Sequence, residues 1–299
     1  MQKVKTVFFG TQEFATTILQ GLLDSNIVSV ETVFTQPDKK VGRKQTIEES
    51  PVKKLALKYN IPVEQPESLK NCELRTENCE LAIVAQYGLM IPKKIIDSFP
   101  KGTINVHGSL LPTYRGASPI QMALVNGEKE TGVTIMLMDE KMDHGSILSQ
   151  KKMVIDPDDT YTTLAAKMAV EGSNLLVNTL PQWLSGELKA QEQNENQATF
   201  TKLLSKEDGL VDFNKTNDEI YNQYRGLTPW PGIWCMRNNK RLKLLKIAKS
   251  DKNITAGEPL AENKRIFIGC SQGSIEILEL QLEGKGSMDA ASFLNGYKI

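Results

Sequence analysis

Asn105 and His107 stand two residues apart in the run Gly102-Thr103-Ile104-Asn105-Val106-His107-Gly108-Ser109. On a β-strand that spacing projects both side chains from one face. An amide N–H can hydrogen-bond a developing oxyanion, and histidine is the side chain that ordinarily titrates near neutrality. Together they suit attack by a nucleophile on a carbonyl carbon. The same pair could satisfy backbone groups of a loop, and spacing does not choose between the two. A carboxylate source follows in Met138-Asp139-Glu140-Lys141-Met142-Asp143-His144-Gly145, where Asp139 and Asp143 lie beside the second of the two histidines. Spacing leaves open which aspartate reaches His107. No Gly-x-Ser-x-Gly elbow exists and no cysteine neighbours either histidine, so direct transfer between two bound substrates fits better than an acyl-enzyme.

Polar pairs of this kind belong at the carboxyl ends of strands in an α/β sheet, and the first half of the chain alternates accordingly. Val4 to Phe9 reads as a strand, with Thr11 as the cap of a helix carrying Phe14, Ile18, Leu19, Leu22 and Leu23 on one face. Val28 to Thr35, Leu81 to Ala85, Thr103 to His107 and Val133 to Met138 read as further strands. Val52 to Tyr59, Lys93 to Ser98 and Asp159 to Leu184 read as helices. This predicts an α/β fold, a Rossmann-like doubly wound sheet over residues 1–188. Neither Gly-x-Gly-x-x-Gly nor a Walker loop is present, which argues against a nicotinamide or ATP site.

The run KAQEQNENQAT, residues 189–199, has almost nothing to bury and reads as an exposed, semi-flexible linker, taken here as 189–204. Beyond it, Asp218 to Arg225 suits a helix, while Arg241 to Ile247, Arg265 to Gly269 and Ile275 to Leu280 are short alternating segments. They predict a small C-terminal β-barrel over 205–299. Trp230, between Pro229 and Pro231, is expected as a packing wedge.

Length and composition bound the alternatives. The chain has 299 residues, 40% of them apolar, with 36 basic and 36 acidic side chains, the profile of an ordinary globular protein. No apolar run approaches the length of a bilayer span, so a cytoplasmic protein with no membrane partner is expected. The four cysteines show no metal-binding spacing, which predicts idle thiols and no metal. Basic residues cluster twice, at Lys39, Lys40, Arg43, Lys44, Lys53 and Lys54, and again between 237 and 252, where seven face only Asp251. Two such clusters in a neutral chain suggest a polyanionic partner.

The run Asn105-x-His107-x-Ser109-Leu110-Leu111-Pro112, then Arg115-Gly116-x-x-Pro119-Ile120 and Asp143 before Gly145, resembles the 10-formyltetrahydrofolate-dependent formyltransferase family. Phe34-Thr35-Gln36-Pro37-Asp38, Gly42-Arg43, Ser50-Pro51-Val52-Lys53, Tyr87-Gly88-Leu89-Met90-Ile91-Pro92, Leu204-Ser205-Lys206-Glu207 and Arg225-Gly226-Leu227-Thr228-Pro229-Trp230-Pro231 resemble its methionyl-tRNA-directed branch. The likeness spans essentially the whole chain, with departures at Gln12, Gln86, His144 and Ser146.

The resemblance implies a Rossmann-like catalytic domain, a linker and an OB-like barrel that helps hold tRNA. The implied reaction moves formyl from 10-formyltetrahydrofolate to the α-amino group of methionine on initiator tRNA. Asn105 would stabilise the tetrahedral oxyanion, His107 would assist proton transfer, and Asp143 would orient His107. Ser109, Leu110, Leu111 and Pro112 would border the folate. The insertion from Thr35 to Pro51 would reach the tRNA acceptor stem through Arg43, flanked by Lys39, Lys40 and Lys44. Lys206, Lys243, Lys246 and Lys249 would add backbone contacts, and a monomer is implied. The alternatives are a formyltransferase acting on glycinamide ribonucleotide or an amino sugar nucleotide, and a tRNA-binding module without catalysis.

Overall fold

The computed structural model describes residues 3–41, 46–70 and 78–297. In chain order the elements are β1 (Val4–Gly10), α1 (Glu13–Ser25), β2 (Val28–Phe34), β3 (Lys39–Val41), β4 (Thr46–Glu48), α2 (Pro51–Lys58), β5 (Val63–Glu64), β6 (Leu81–Ala85), α3 (Lys93–Ile96), β7 (Thr103–His107) and β8 (Arg115–Gly116). There follow α4 (Pro119–Val125), β9 (Glu130–Leu137), β10 (Ile147–Val154), α5 (Tyr161–Ser185) and β11 (Phe200–Thr201). The chain ends with α6 (Asn217–Leu227), β12 (Ile233–Arg237), β13 (Lys240–Ser250), β14 (Pro259–Glu262), β15 (Arg265–Gly269), β16 (Ser274–Leu282), β17 (Met288–Asp289) and α7 (Ala290–Gly296).

The first sheet has the order β10-β9-β7-β6-β1-β2-β5. From β1 the chain moves outward through β2 to β5, then returns to β6 and β7 on the other side of β1. That reversal is the switch point at which α/β sheets bind ligands. The strands from β7 to β5 are parallel, while β9 and β10 run antiparallel at one edge. The central strands are read directly from their residues. β6 is Leu-Ala-Ile-Val-Ala and buried throughout, as expected of a strand covered on both faces. α1 buries Phe14, Ala15, Ile18, Leu19 and Leu22, the helical stripe seen in the sequence except that Leu23 is only half-buried.

Thr11 departs from its expected role as a cap. Gln12 is the N-cap of α1 and makes no side-chain capping bond. Thr11 Oγ1 instead donates to Tyr87 O at 2.9 Å and accepts from Gln36 N at 3.3 Å, and Gln36 Nε2 donates to the same carbonyl at 2.9 Å. These bonds join the segments that follow β1, β2 and β6, at the carboxyl edge of the sheet.

Contacts divide the chain into two compact units. One comprises Met1–Gly116, Glu130–Val154 and Ala165–Phe200, the other Ala117–Lys129, Ile155–Leu164 and Thr201–Ile299. Two segments that precede the expected 189–204 linker, Ala117–Lys129 and Ile155–Leu164, group with the second unit through polar and apolar contacts. Met122 and Val125 of α4 pack on the core that includes Ile220 and Leu227. Arg225 Nη1 donates to the carbonyls of Asp156 and Asp159 at 3.3 and 3.1 Å.

The second unit contains an antiparallel sheet ordered β12-β13-β16-β15-β14, with β17 on β16. Its short antiparallel strands fall where alternating segments were expected beyond residue 205, and α6 covers the helix expected over Asp218 to Arg225. Trp230 is 52% exposed, so it is not the packing wedge expected of it. Trp234 is buried instead, its Nε1 donating to Lys206 O at 2.9 Å.

Candidate active site

β7 supplies Asn105 and His107 from one face, while Ile104 and Val106 are buried on the other. The antiparallel neighbour β9 then leads into the loop carrying Asp143, whose neck is closed by Leu137 N donating to Ser146 O at 2.8 Å. Gly145 is required at this neck, since a Cβ there would lie 2.0 Å from Leu137 O. The loop brings Asp143 Oδ1 to 3.5 Å from His107 Nδ1, and Asn105 Nδ2 donates to the same oxygen at 3.4 Å. Gly116 N donates to Asp143 Oδ2 at 2.8 Å. Asp143 therefore receives hydrogen-bond donors on both carboxylate oxygens, which fixes the orientation of the group.

His107 is 5% exposed, and its Nε2 lies 3.1 Å from Tyr114 O. A carbonyl can only accept, so Nε2 carries the hydrogen and Nδ1 is the nitrogen whose protonation can change. A proton gained at Nδ1 would face the Asp143 carboxylate. Asn105, His107 and Asp143 thus converge on one point, joining an N–H donor to a proton acceptor with its charge partner.

Asp143 has φ of 49°, left-handed for a residue with a side chain. Such a conformation costs about 1–2 kcal/mol, and hydrogen bonds hold it. Gln193 Nε2 donates to Asp143 O at 2.9 Å and to Gly145 O at 2.8 Å. Gln193 Oε1 accepts from Arg115 Nε at 3.1 Å and Nη2 at 2.8 Å. Arg115 is 2% exposed, and Glu195 pairs with it through both carboxylate oxygens at 2.6 and 3.1 Å. That guanidinium holds the Glu195 carboxyl below its ordinary value. An uncompensated guanidinium at this burial would be strongly destabilising.

Residues 189–199, expected from composition to be an exposed linker, are mostly exposed and yet make specific hydrogen bonds. Gln191 and Ile147 exchange backbone bonds of 2.8 and 2.7 Å, Gln193 and Glu195 hold Arg115, and Thr199 O accepts from Arg115 N at 2.8 Å. Composition missed this because polar contacts need no apolar residue. Arg115 was visible as a motif residue, but nothing in the sequence pairs it with Gln193.

Asp139 and His144 form a separate pair. His144 Nδ1 lies 2.5 Å from Asp139 Oδ2, and its Nε2 lies 3.6 Å from Glu195 Oε1.

Ser109, Leu110, Leu111 and Pro112 form a pinned loop beside β7. Thr134 Oγ1 donates to Ser109 O at 2.6 Å and accepts from Leu111 N at 3.1 Å, while Gln150 Nε2 donates to Leu111 O at 2.9 Å. The buried Ser109 hydroxyl donates to Thr113 O at 2.6 Å, so it shapes the loop. Leu110 and Pro112 are partly exposed.

Of the basic residues, Arg43 and Lys44 lie outside the described residues, as does the side chain of Lys40. Lys39 Nζ donates to Gln36 Oε1 at 2.5 Å. The insertion is anchored at its base by Asp38, which accepts from Lys53 Nζ at 2.6 Å and Gln65 Nε2 at 2.7 Å. The Lys53 hydrogen bond is the main reason that the Asp38 carboxyl lies below its ordinary value.

In the second unit Lys206, Lys243 and Lys246 are exposed. β13 is irregular around Lys246, which pairs in register with Glu279, and Lys243 lies opposite Gln281. Lys249 donates to Asp218 Oδ1 at 2.7 Å and lies 5.8 Å from the centre of the Tyr221 ring. Lys243, Lys246 and Lys249 thus face different neighbours along β13.

Among the described residues no cluster of three His, Cys, Asp or Glu side chains could hold a metal. No described helix is long and apolar enough to cross a membrane. Burial pushes the Cys235 and Cys270 thiols up to about 11 and raises that of Cys79, which suppresses their nucleophilicity.

Comparison with known proteins adds kinship to this geometry. Residues 3–180 match the formyl transferase family and residues 203–298 the formyl transferase C-terminal domain. A methionyl-tRNA formyltransferase of Lactococcus lactis subsp. lactis (strain IL1403) is 44% identical over 307 residues, spanning 99% of this chain and 96% of that one. Its counterpart in Streptococcus agalactiae serotype III (strain NEM316) is 40% identical over 297 residues, spanning 98% and 95%. An N-formyltransferase from Helicobacter canadensis, crystallised with folinic acid and dTDP-3-aminofucose, shares the fold. Its TM-score is 0.68 at 20% identity, over 92% of this chain and 98% of that one.

Proposed function

We infer the roles of individual residues from the premise that this chain belongs to the formyltransferase family and, by its full-length likeness, to the members that formylate methionyl-tRNA. It is an enzyme that transfers a formyl group to the α-amino group of methionine carried by initiator tRNA, a step in translation initiation. A folate supplies the formyl group, and we take the donor to be 10-formyltetrahydrofolate.

The observation that carries the residue roles is the convergence of Asn105 Nδ2 and His107 Nδ1 on Asp143 Oδ1, at 3.4 and 3.5 Å. The neutral amine of methionine attacks the formyl carbon, and the carbonyl oxygen gains negative charge. An amide nitrogen carries two hydrogens, so Asn105 can bond Asp143 with one and the oxyanion with the other. The proton leaving the amine passes to His107 Nδ1, where the Asp143 carboxylate stabilises the imidazolium. His107 then returns it to N10 of the folate as the C–N10 bond breaks. The amine is itself the nucleophile, so orienting the two substrates is the remaining requirement.

The Ser109–Pro112 loop borders the folate, with Leu110 and Pro112 its partly exposed members. Arg43, Lys39, Lys40 and Lys44 of the insertion contact the acceptor stem, while Lys206, Lys243, Lys246 and Lys249 contribute phosphate contacts. Arg suits the first role because its planar fork reaches phosphates and base edges together. The enzyme acts as a monomer in the cytoplasm.

The test is transfer of labelled formyl from 10-formyltetrahydrofolate to methionylated initiator tRNA, with methionylated elongator tRNA and free methionine as parallel acceptors. Selective labelling of the initiator supports the assignment. Folate binding without any formylated tRNA would overturn the acceptor.

A further inference from the structure

The structure assigns Gln193 the task of holding Asp143 in its working pose, a positioning role that rests on the formyl transfer inferred above. The whole bonding capacity of this amide is in use. Oε1 accepts two bonds from Arg115, and Nε2 donates one bond each to Asp143 O and Gly145 O. Since a guanidinium only donates, the oxygen must face Arg115 and the NH2 must face the loop. The amide cannot flip without setting donor against donor and acceptor against acceptor.

Arg115 is in turn fixed by Glu195, two residues beyond Gln193. Gly116, the residue after Arg115, donates its N–H to Asp143 Oδ2. One short stretch therefore controls Asp143 at both ends: Gly116 binds its carboxylate directly, and Arg115 holds its backbone carbonyl through Gln193. The backbone hold matters because φ of 49° is the conformation Asp143 would leave most readily. Relaxing it would swing the carboxylate away from His107 Nδ1. The hydrogen bonds of Gln193 go to Arg115, Asp143 and Gly145 and not to Asn105 or His107, so it acts on the reaction through Asp143.

Gln193→Glu separates these contacts. The carboxylate still accepts from Arg115, but it presents an oxygen to two carbonyl oxygens and removes both donors to the loop. With methionylated initiator tRNA and 10-formyltetrahydrofolate, kcat should fall tenfold or more, and both KM values should stay within twofold of wild type. In an Asp143→Asn background, assayed at high enzyme concentration, the same substitution should change kcat less than twofold, because its route of action is already gone.

Equal fold-losses in the two backgrounds would overturn the assignment in favour of a general structural role. So would a loss confined to KM, or a kcat within twofold of wild type. Gln193→Met keeps the side-chain length and removes all four hydrogen bonds, and it carries the same comparisons if Gln193→Glu does not fold. Wild-type turnover is measured first. An inactive wild type overturns the activity and this role together, whereas an active wild type matched by Gln193→Glu overturns the role alone.

Discussion

Asp143 and His144 are chain neighbours whose side chains serve different partners: Asp143 Oδ1 lies 3.5 Å from His107 Nδ1, whereas His144 Nδ1 meets Asp139 Oδ2 at 2.5 Å. His144 therefore pairs with the other aspartate of the loop. Asp143→Asn should lower kcat by about 100-fold or more, the usual range for a general acid–base partner. Asp139→Asn should stay within a few-fold of wild type. Steady-state formylation of initiator tRNA measures both, and a greater loss from Asp139→Asn would reverse the assignment.

Asn105→Ala removes the side-chain amide N–H that β7 directs toward Asp143. Loss of one oxyanion donor costs about 10²–10³ in kcat, and tRNA affinity should be unchanged. Binding of methionylated tRNA measured beside turnover checks this. A weakened tRNA complex with kcat preserved would assign Asn105 to substrate binding.

The sequence made β6 and β7 legible residue for residue, because runs of β-branched and apolar residues between turn residues have few alternatives. It placed Asn105 and His107 on one face through the strand period alone. It could not choose between Asp139 and Asp143, since that depends on one left-handed residue in a loop with no period. β10 was missed because it is an edge strand with exposed Gln150, Lys151 and Lys152, which blur the alternation. α4 was missed because seven residues opening on proline give too short a stripe. Gln193 was hidden most completely, because its polar contacts to distant residues have no local signature.

Glu276 on β16 is buried and accepts from Arg265 Nε at 2.6 Å and Nη2 at 2.5 Å. The Arg265 hydrogen bond holds its carboxyl below the ordinary value of 4.5. A depressed carboxyl contributes stability that is fully present above the unfolded value and lost as pH falls through the folded one. Wild type should therefore melt above Glu276→Gln at neutral pH, with the gap closing at acid pH. Thermal unfolding of both proteins across that range tests it, and a pH-independent gap would mean that packing, not charge, is what the substitution removes.

Lys243, Lys246 and Lys249 are all exposed on β13, but Lys249 is in addition engaged by Asp218. A lysine that contacts phosphate releases counterions on binding, so removing it weakens every tRNA alike and lowers the salt slope by about 1. Lys243→Ala and Lys246→Ala should each show that signature. Lys249→Ala should show less of it, because its ammonium must leave Asp218 before it can serve RNA. Arg43→Ala should instead raise KM for initiator tRNA with folate binding intact, as a contact to base edges and phosphate would. Filter binding at several salt concentrations, run beside formylation kinetics, measures all four variants. Equal slopes for wild type and the Lys243 and Lys246 variants would remove this strand from the RNA path and leave the insertion around Arg43 as the principal contact.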